Sequence, residues 1–271
     1  MYPNTEDVMT GPKVLLLDIE TSPVAAWVWS LWKQNVSLNQ IDRDWYMLTW
    51  AAKWLNSDEI MSDALISYRK EYKADPEDDS TICASLYDLI DEADILVGHN
   101  LVGFDKPKAY AKFLEHGWMP PSPTQNIDTL QIAKGAFRLT SNKLDYIARL
   151  LGVGQKTEHE GFDLWKKCMA GDRDAWARMV EYNENDVLIL EDVYHALAPY
   201  SKSHPNHALY TGRDAECCTV CGSMRMMRQG YAYTTVSKFQ RYQCKDCGKW
   251  MRGRTSVLDA GQKKSLLTNL I

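Results

Sequence analysis

Asp18 and Glu20 stand two apart at the end of the apolar run KVLLLDIE, Lys13–Glu20. In an extended chain, side chains alternate between faces, so both carboxylates share one face and Ile19 takes the other. Neighbouring carboxylates resist ionising together unless a cation neutralises them. Hard divalent cations such as Mg²⁺ take oxygen ligands of this kind. Taken alone, an Asp-x-Glu at a strand end is ordinarily a solvated pair. Two further clusters change the balance. Gly98-His99-Asn100-Leu101-Val102-Gly103-Phe104-Asp105 reads as a strand end, a tight turn and a helix start. A helix dipole would favour Asp105 there without any metal, but capping leaves Asn100 and Phe104 unexplained. His99 reads as a supporting residue rather than a ligand. Tyr182-Asn183-Glu184-Asn185-Asp186 places Tyr182 and Asp186 four apart, on one face of a helix. In isolation that is a surface pair.

A second chemistry lies near the end of the chain. Cys218-Thr219-Val220-Cys221-Gly222 and Cys244-Lys245-Asp246-Cys247-Gly248 are two CxxCG knuckles. Two tight turns can each present two thiolates, the tetrahedral set that zinc prefers. A module this small needs such a staple to fold. Only Cys218, not the adjacent Cys217, has the knuckle spacing. Around the knuckles lie cations and rings, among them Arg241, Tyr242 and Trp250, which could meet phosphates and bases. A ribbon that docks a protein is the alternative.

The elements that must carry these groups follow from pattern. Lys13–Glu20 reads as a central strand buried on both faces. Leu48–Trp54 reads as a second strand and Ile66–Arg69 as a third. Thr81–Glu92 has helical spacing, Ile95–His99 is strand-like, and Lys106–His116 is a helix that tolerates Pro107 in its first turn. Asp128–Phe137 and Lys143–Leu151 are expected helices, the latter ended by Gly152. Arg173–Leu197 is a long helix. The tryptophan-rich stretch Trp27–Trp54 admits base stacking, but packing is the expected role for most of its rings. The result is a mixed α/β sheet with flanking helices over residues 1–200, a linker over 201–212, and a small zinc-ribbon β module with a basic tail over 213–271.

Charge divides along the same line. The net charge is −5 over 271 residues, yet residues 213–271 alone carry 11 Lys and Arg against 4 Asp and Glu. An acidic body with a basic tail points to a polyanion, nucleic acid first. No apolar run reaches the length of a membrane span, and no secretory signal is expected at the N-terminus. Seven cysteines, four of them in knuckles, fit a reducing, cytoplasmic setting.

Asp18-Ile19-Glu20-Thr21, His99–Asp105 and Tyr182–Asp186 together resemble, in order, the three exonuclease motifs of the DnaQ-like, ribonuclease H-like superfamily. The tyrosine matches the DEDDy subgroup, to which the proofreading domains of family A and B DNA polymerases belong. Ile127–Leu130 and Ser141–Ala148 are similar to connecting segments of the polymerase-B type. The resemblance covers roughly residues 13–198. It implies a metal-dependent 3′–5′ exonuclease in which Asp18, Glu20, Asp105 and Asp186 bind two Mg²⁺ or Mn²⁺ ions and Tyr182 orients the attacking water. A phenol of unperturbed pKa about 10 is a poor base at neutral pH, which favours positioning over proton abstraction. Thr21, Asn100 and Phe104 are the implied contacts of the terminal nucleotide. DNA, single-stranded, is the expected substrate, in replication, repair or recombination, with a phage or mobile-element role among the settings. An exoribonuclease is the rival within the same class. A non-catalytic recruiting module, with a replication or repair protein docked by the ribbon, is the rival from another class.

Overall fold

The computed structural model describes residues 11–154, 160–212 and 215–268. The described residues divide into two compact units, Lys13–Tyr194 and a second formed from His195 onward.

In the first unit, β1 (Val14–Thr21) is followed by β2 (Ala25–Ala26), β3 (Ile41–Arg43), β4 (Met47–Trp54) and β5 (Ile60–Ala64). Then come α1 (Arg69–Ala74), α2 (Ser80–Glu92), β6 (Ile95–Gly98), α3 (Asp105–Glu115), β7 (Gln125–Asp128), α4 (Thr129–Ala136), α5 (Leu144–Leu151), α6 (Phe162–Met169) and α7 (Arg173–Leu197). The main sheet has the order β5-β4-β1-β6-β7. β1 pairs antiparallel with β4 and parallel with β6, so the sheet is mixed and β1 is its centre. That position explains the sequence: Leu15, Leu16 and Leu17 are all buried, because both faces of a central strand are covered.

The two faces differ. On one, Leu15, Leu17, Ile19 and Trp50 pack with Ile82, Leu86 and Ile90 of α2 and Phe113 of α3. Trp50 also donates its indole N–H to the Ile82 carbonyl at 2.8 Å. On the other face, α7 is fastened by polar contacts. Lys53 on β4 pairs with Glu191, and Ser62 on β5 donates to Glu184 at 2.5 Å. Asn183 reaches Asp18 on β1. A buried lysine is retained here because its charge is paired.

Three expectations change. Ile66–Arg69 is no strand; it falls in a 3₁₀ turn, Leu65–Ser67, and the start of α1, and the third strand is β5. Asp63 on that strand accepts from Tyr68 at 2.7 Å and Ser85 at 2.8 Å, polar contacts that leave the strand without an apolar alternation to read. Asp128 does not lie inside a helix but caps α4, accepting from the Leu130 and Gln131 amides. The tryptophans split: Trp50 is buried, but Trp27, Trp29 and Trp32 are exposed, so packing does not account for them.

In the second unit, β8 (Met226–Thr234), β9 (Ser237–Cys244) and β10 (Trp250–Ser256) form an antiparallel sheet in the order β10-β9-β8, followed by α8 (Ala260–Ser265). Residues 201–212 are built into this unit. The His207 amide donates to the Thr219 carbonyl at 2.9 Å, and Lys249 donates to the Ser201 carbonyl. Among the described residues, no helix is long and apolar enough to cross a membrane.

Candidate active site and metal centre

β1 presents Asp18 and Glu20 on one face, half-buried, and buries Ile19 on the other. The Asp105 carboxylate, at the first turn of α3 and 2 % exposed, accepts the Ile19 amide at 3.2 Å. The second acidic motif is therefore bound to the strand between the two acids of the first. The third arrives through α7. Asn183 donates Nδ2 to Asp18 Oδ2 at 2.7 Å and to the Asp18 carbonyl at 3.2 Å. Its Oδ1 lies 3.4 Å from the Thr49 hydroxyl. Tyr182, the preceding residue, packs edge-on to Trp165 with ring centres 6.3 Å apart. Asp18 and Asp186 line one cavity of about 820 Å³, together with Asn100, Lys134 and Lys143. A smaller cavity of about 420 Å³ is lined by Thr21, Ser22, Lys108, Phe162 and Trp165.

The loop before α3 is shaped by its own sequence. Asn100 has φ 75°, a left-handed conformation that asparagine tolerates. A Cβ on Gly103 would lie 2.6 Å from Asn100 Oδ1, so a larger residue there would push that side chain aside. Asp128 fixes the turn from outside. Its Oδ1 accepts the Asn100 amide at 3.1 Å and its Oδ2 the Val102 amide at 3.2 Å. His99 donates Nε2 to the Asn142 carbonyl at 2.8 Å, and its Nδ1 lies 2.9 Å from the Thr129 hydroxyl. With both nitrogens engaged, it supports the turn. Phe104 is half-buried against the core, with the Lys108 amine 5.6 Å from its ring centre.

Burial raises the Asp105 carboxyl to about 7; the Ile19 and Asp105 amides oppose the rise and the Asp128 charge adds to it. A buried carboxyl of this kind, close to further acids, favours either a proton or a cation. The donor set is all oxygen, which suits Mg²⁺ or Mn²⁺ rather than zinc.

In the second unit the sulfurs of Cys218, Cys221, Cys244 and Cys247 all lie within 4.8 Å of one another. Cys218 and Cys247 are 3.5 Å apart and Cys221 and Cys244 3.6 Å. Tetrahedral bonds of about 2.3 Å put sulfurs roughly 3.8 Å apart, so the four could hold zinc with little movement. Gly222 and Gly248 take φ 69° and 79°, which closes each knuckle. The Cys221 thiol, then the Cys221 and Val220 amides, lower Cys218, while the same contact and burial raise Cys221 and burial raises Cys247, so without an ion one thiolate is shared among the sulfurs.

The expected substrate contacts of this unit separate. Arg241 and Trp250 share one sheet face. Tyr242 is on the other, 8 % exposed, with its hydroxyl donated to Glu216 at 2.6 Å, so it is not offered to a base as expected. Sequence reasoning also gave no role to Asn183, Asp128 or Lys143. All three lie in segments whose resemblance was noted, but only their contacts show what they do.

Among solved structures, the family B DNA polymerase from the hyperthermophilic archaeon Pyrobaculum calidifontis is similar, with a TM-score of 0.51 and 16 % identity. The match covers 74 % of this chain and 27 % of that one, so the chain spans about a quarter of the polymerase, and the likeness is one of fold. Comparison with curated proteins gave no match. The family model of the RNase H superfamily matches residues 59–198, a span that holds the Asp105 turn and the Tyr182–Asp186 helix and begins after β1. With more than half of its length matched, the chain belongs to the RNase H superfamily.

Proposed function

We propose that the chain is a metal-dependent 3′–5′ exonuclease acting on single-stranded DNA. One observation carries the reading. Asp105 accepts the amide between Asp18 and Glu20, while the helix bearing Tyr182 and Asp186 is tied to Asp18 through Asn183. The elements carrying the second and third motifs are thus both tied to β1, and Asp18 and Asp186 line one cavity beside it. Asp18, Glu20, Asp105 and Asp186 would hold two Mg²⁺ or Mn²⁺ ions. Such ions, when bound, supply charge neutralisation at the scissile phosphate, an activated water and a steadied leaving oxygen. The residues around them position the rest. Tyr182, braced by Trp165, directs its hydroxyl to the attacking water. Lys134 and Lys143 attract the strand's phosphates. Thr21, Asn100 and Phe104 receive the terminal nucleotide, with Phe104 as the stacking surface. In the second unit, zinc on the four cysteines is structural.

The test uses single strands of DNA and RNA labelled at the 5′ end, with Mg²⁺, Mn²⁺ or neither, and the Asp105→Asn protein as control. The expected result is a ladder of DNA products shortened stepwise from the 3′ end, dependent on the divalent ion. Faster RNA degradation would move the assignment to an exoribonuclease. Internal cuts, or equal activity in the control, would overturn it.

A further inference from the structure

The unit carrying the four cysteines has a sheet with two unlike faces, and the difference lies in how arginines are compensated. The β9–β10 register sets Arg252 directly opposite Arg241. Like charges opposite one another across strands destabilise a sheet. Among the described residues, neither arginine has a carboxylate partner. On the other face Arg228 lies 3.7 Å from Glu216, and before β8 Arg225 pairs with Asp246 at 2.6 Å. The uncompensated pair also holds aromatic rings. The Arg241 guanidinium is 4.8 Å from the centre of the Trp250 ring, and that of Arg252 is 4.0 Å from the centre of Phe239. Trp250 is 43 % exposed. Arg241 is held in place, with Nε donated to the Gln229 carbonyl at 2.9 Å over the bulge that Gly230, at φ 62°, permits. Its two terminal nitrogens remain for a planar acceptor.

We propose that the sheet face bearing Arg241, Arg252, Trp250 and Phe239 binds single-stranded nucleic acid. The arginines take successive phosphates and the rings stack on bases. An anion relieves the opposed charges, and the guanidinium planes and rings, stacked on one another, offer flat surfaces to a planar base. The surplus of 11 cations over 4 acids in residues 213–271 has the same sign. This binding needs no catalysis, so it stands or falls apart from the exonuclease reading. Neither phosphate contact nor stacking reads the sugar, so DNA and RNA bind alike.

Binding is measured on the full, zinc-loaded chain in buffer free of Mg²⁺ and Mn²⁺, so that strands persist. Anisotropy of long fluorescent oligothymidylate and oligouridylate is read over a range of salt. The Arg241→Ala/Arg252→Ala variant is compared with Lys263→Ala/Lys264→Ala, which removes the same charge from α8. The arginine variant should bind about tenfold or more weakly at moderate salt, and its salt slope should flatten by about 1.4, two contacts of about 0.7 each. Trp250→Ala should lose about tenfold in affinity with the slope unchanged. The lysine variant should behave as the parent. Zinc content reports folding of each variant, and Arg241→Lys/Arg252→Lys should retain the slope. Unchanged binding by the zinc-loaded arginine variant overturns the proposal and leaves a protein partner for this face. So does an equal loss in the lysine variant, which would mean diffuse charge, or binding to vesicles containing phosphatidylserine but not to the oligonucleotides.

Discussion

Replacing Asp105 by asparagine should stabilise the protein while destroying its activity, and the size of the effect can be worked from the site. Asp105 is 2 % exposed, and burial lifts its carboxyl from 3.8 to about 7. Between those values the folded state keeps a proton that the unfolded chain has lost. The stability contributed by this group is therefore complete below pH 3.8 and is lost as pH rises through about 7. A shift of about 3 units corresponds to at most about 4 kcal/mol above neutrality, at about 1.4 kcal/mol per unit. Asparagine keeps an oxygen for the Ile19 amide but carries no charge, so it escapes this loss. Each kcal/mol moves the midpoint of a domain of this size by about 2–4 °C. In buffer lacking Mg²⁺ and Mn²⁺ the variant should match the parent near pH 4. At pH 8 it should melt higher, by roughly 8–16 °C at the ceiling. Added Mg²⁺ should raise the parent and leave the variant unmoved, because binding only the folded state stabilises it. Scanning fluorimetry at several pH values, with and without Mg²⁺, gives every comparison. A melting difference that does not grow with pH, or a variant that melts lower than its parent at pH 8 without divalent ions, would refute the reasoning.

Asn183→Ala should cost about 2 kcal/mol, since it strips a charged acceptor of a buried donor. It should weaken Mg²⁺ dependence by about tenfold to a hundredfold, read as a shifted metal titration of activity. Tyr182→Phe should lower kcat by about tenfold to a hundredfold and leave KM nearly unchanged, because the ring stays on Trp165 and only the hydroxyl is lost; a rise in KM at constant kcat would count against the role. Cys221→Ser should release zinc and unfold β8–β10, while the melting of Lys13–Tyr194 stays in place because that unit has its own core. Zinc content and calorimetry check both halves.

The sequence showed most clearly what repeats a period or a rule. Val14–Thr21 reads as a strand from its apolar run, and the alternation that places Asp18 and Glu20 on one face needs only the pleat. Arg173–Leu197 follows from helical spacing, and Gly152, at φ 70°, ends α5 as a left-handed cap should. Where long-range contact decides, the reading stops. β5 has no apolar alternation because Ser62 and Asp63 serve Glu184, Tyr68 and Ser85. Gln125–Asp128 is a strand because β6 pairs with it, not because its residues favour one. In the site, residue types and order named the acids, but Asn183 looks like any polar residue on a helix until Asp18 is seen 2.7 Å away. Tyr242 failed for the reciprocal reason. Its place in a basic, aromatic stretch says nothing about face, and register turns it inward.

Two aspartates flank the Asn100–Phe104 turn, and their surroundings assign them opposite work. Asp128 accepts amides from Asn100, Val102, Leu130 and Gln131, so both of its oxygens are already engaged with donors of the fold. Charge held this way needs no ion, and the carboxylate serves to fix the turn. Asp105 is more deeply sunk but, among the described residues, receives only the Ile19 amide and its own. That is too little to offset its burial, so it remains the carboxyl that gains most from a cation. The Asp128 charge makes this sharper, since it raises Asp105 further and cannot itself turn toward an ion without releasing the loop. A divalent ion entering beside Asp18 would therefore be drawn to Asp105 rather than to Asp128, although both are buried acids of one turn. The discrimination comes from backbone amides, which are fixed by the fold before any ion arrives.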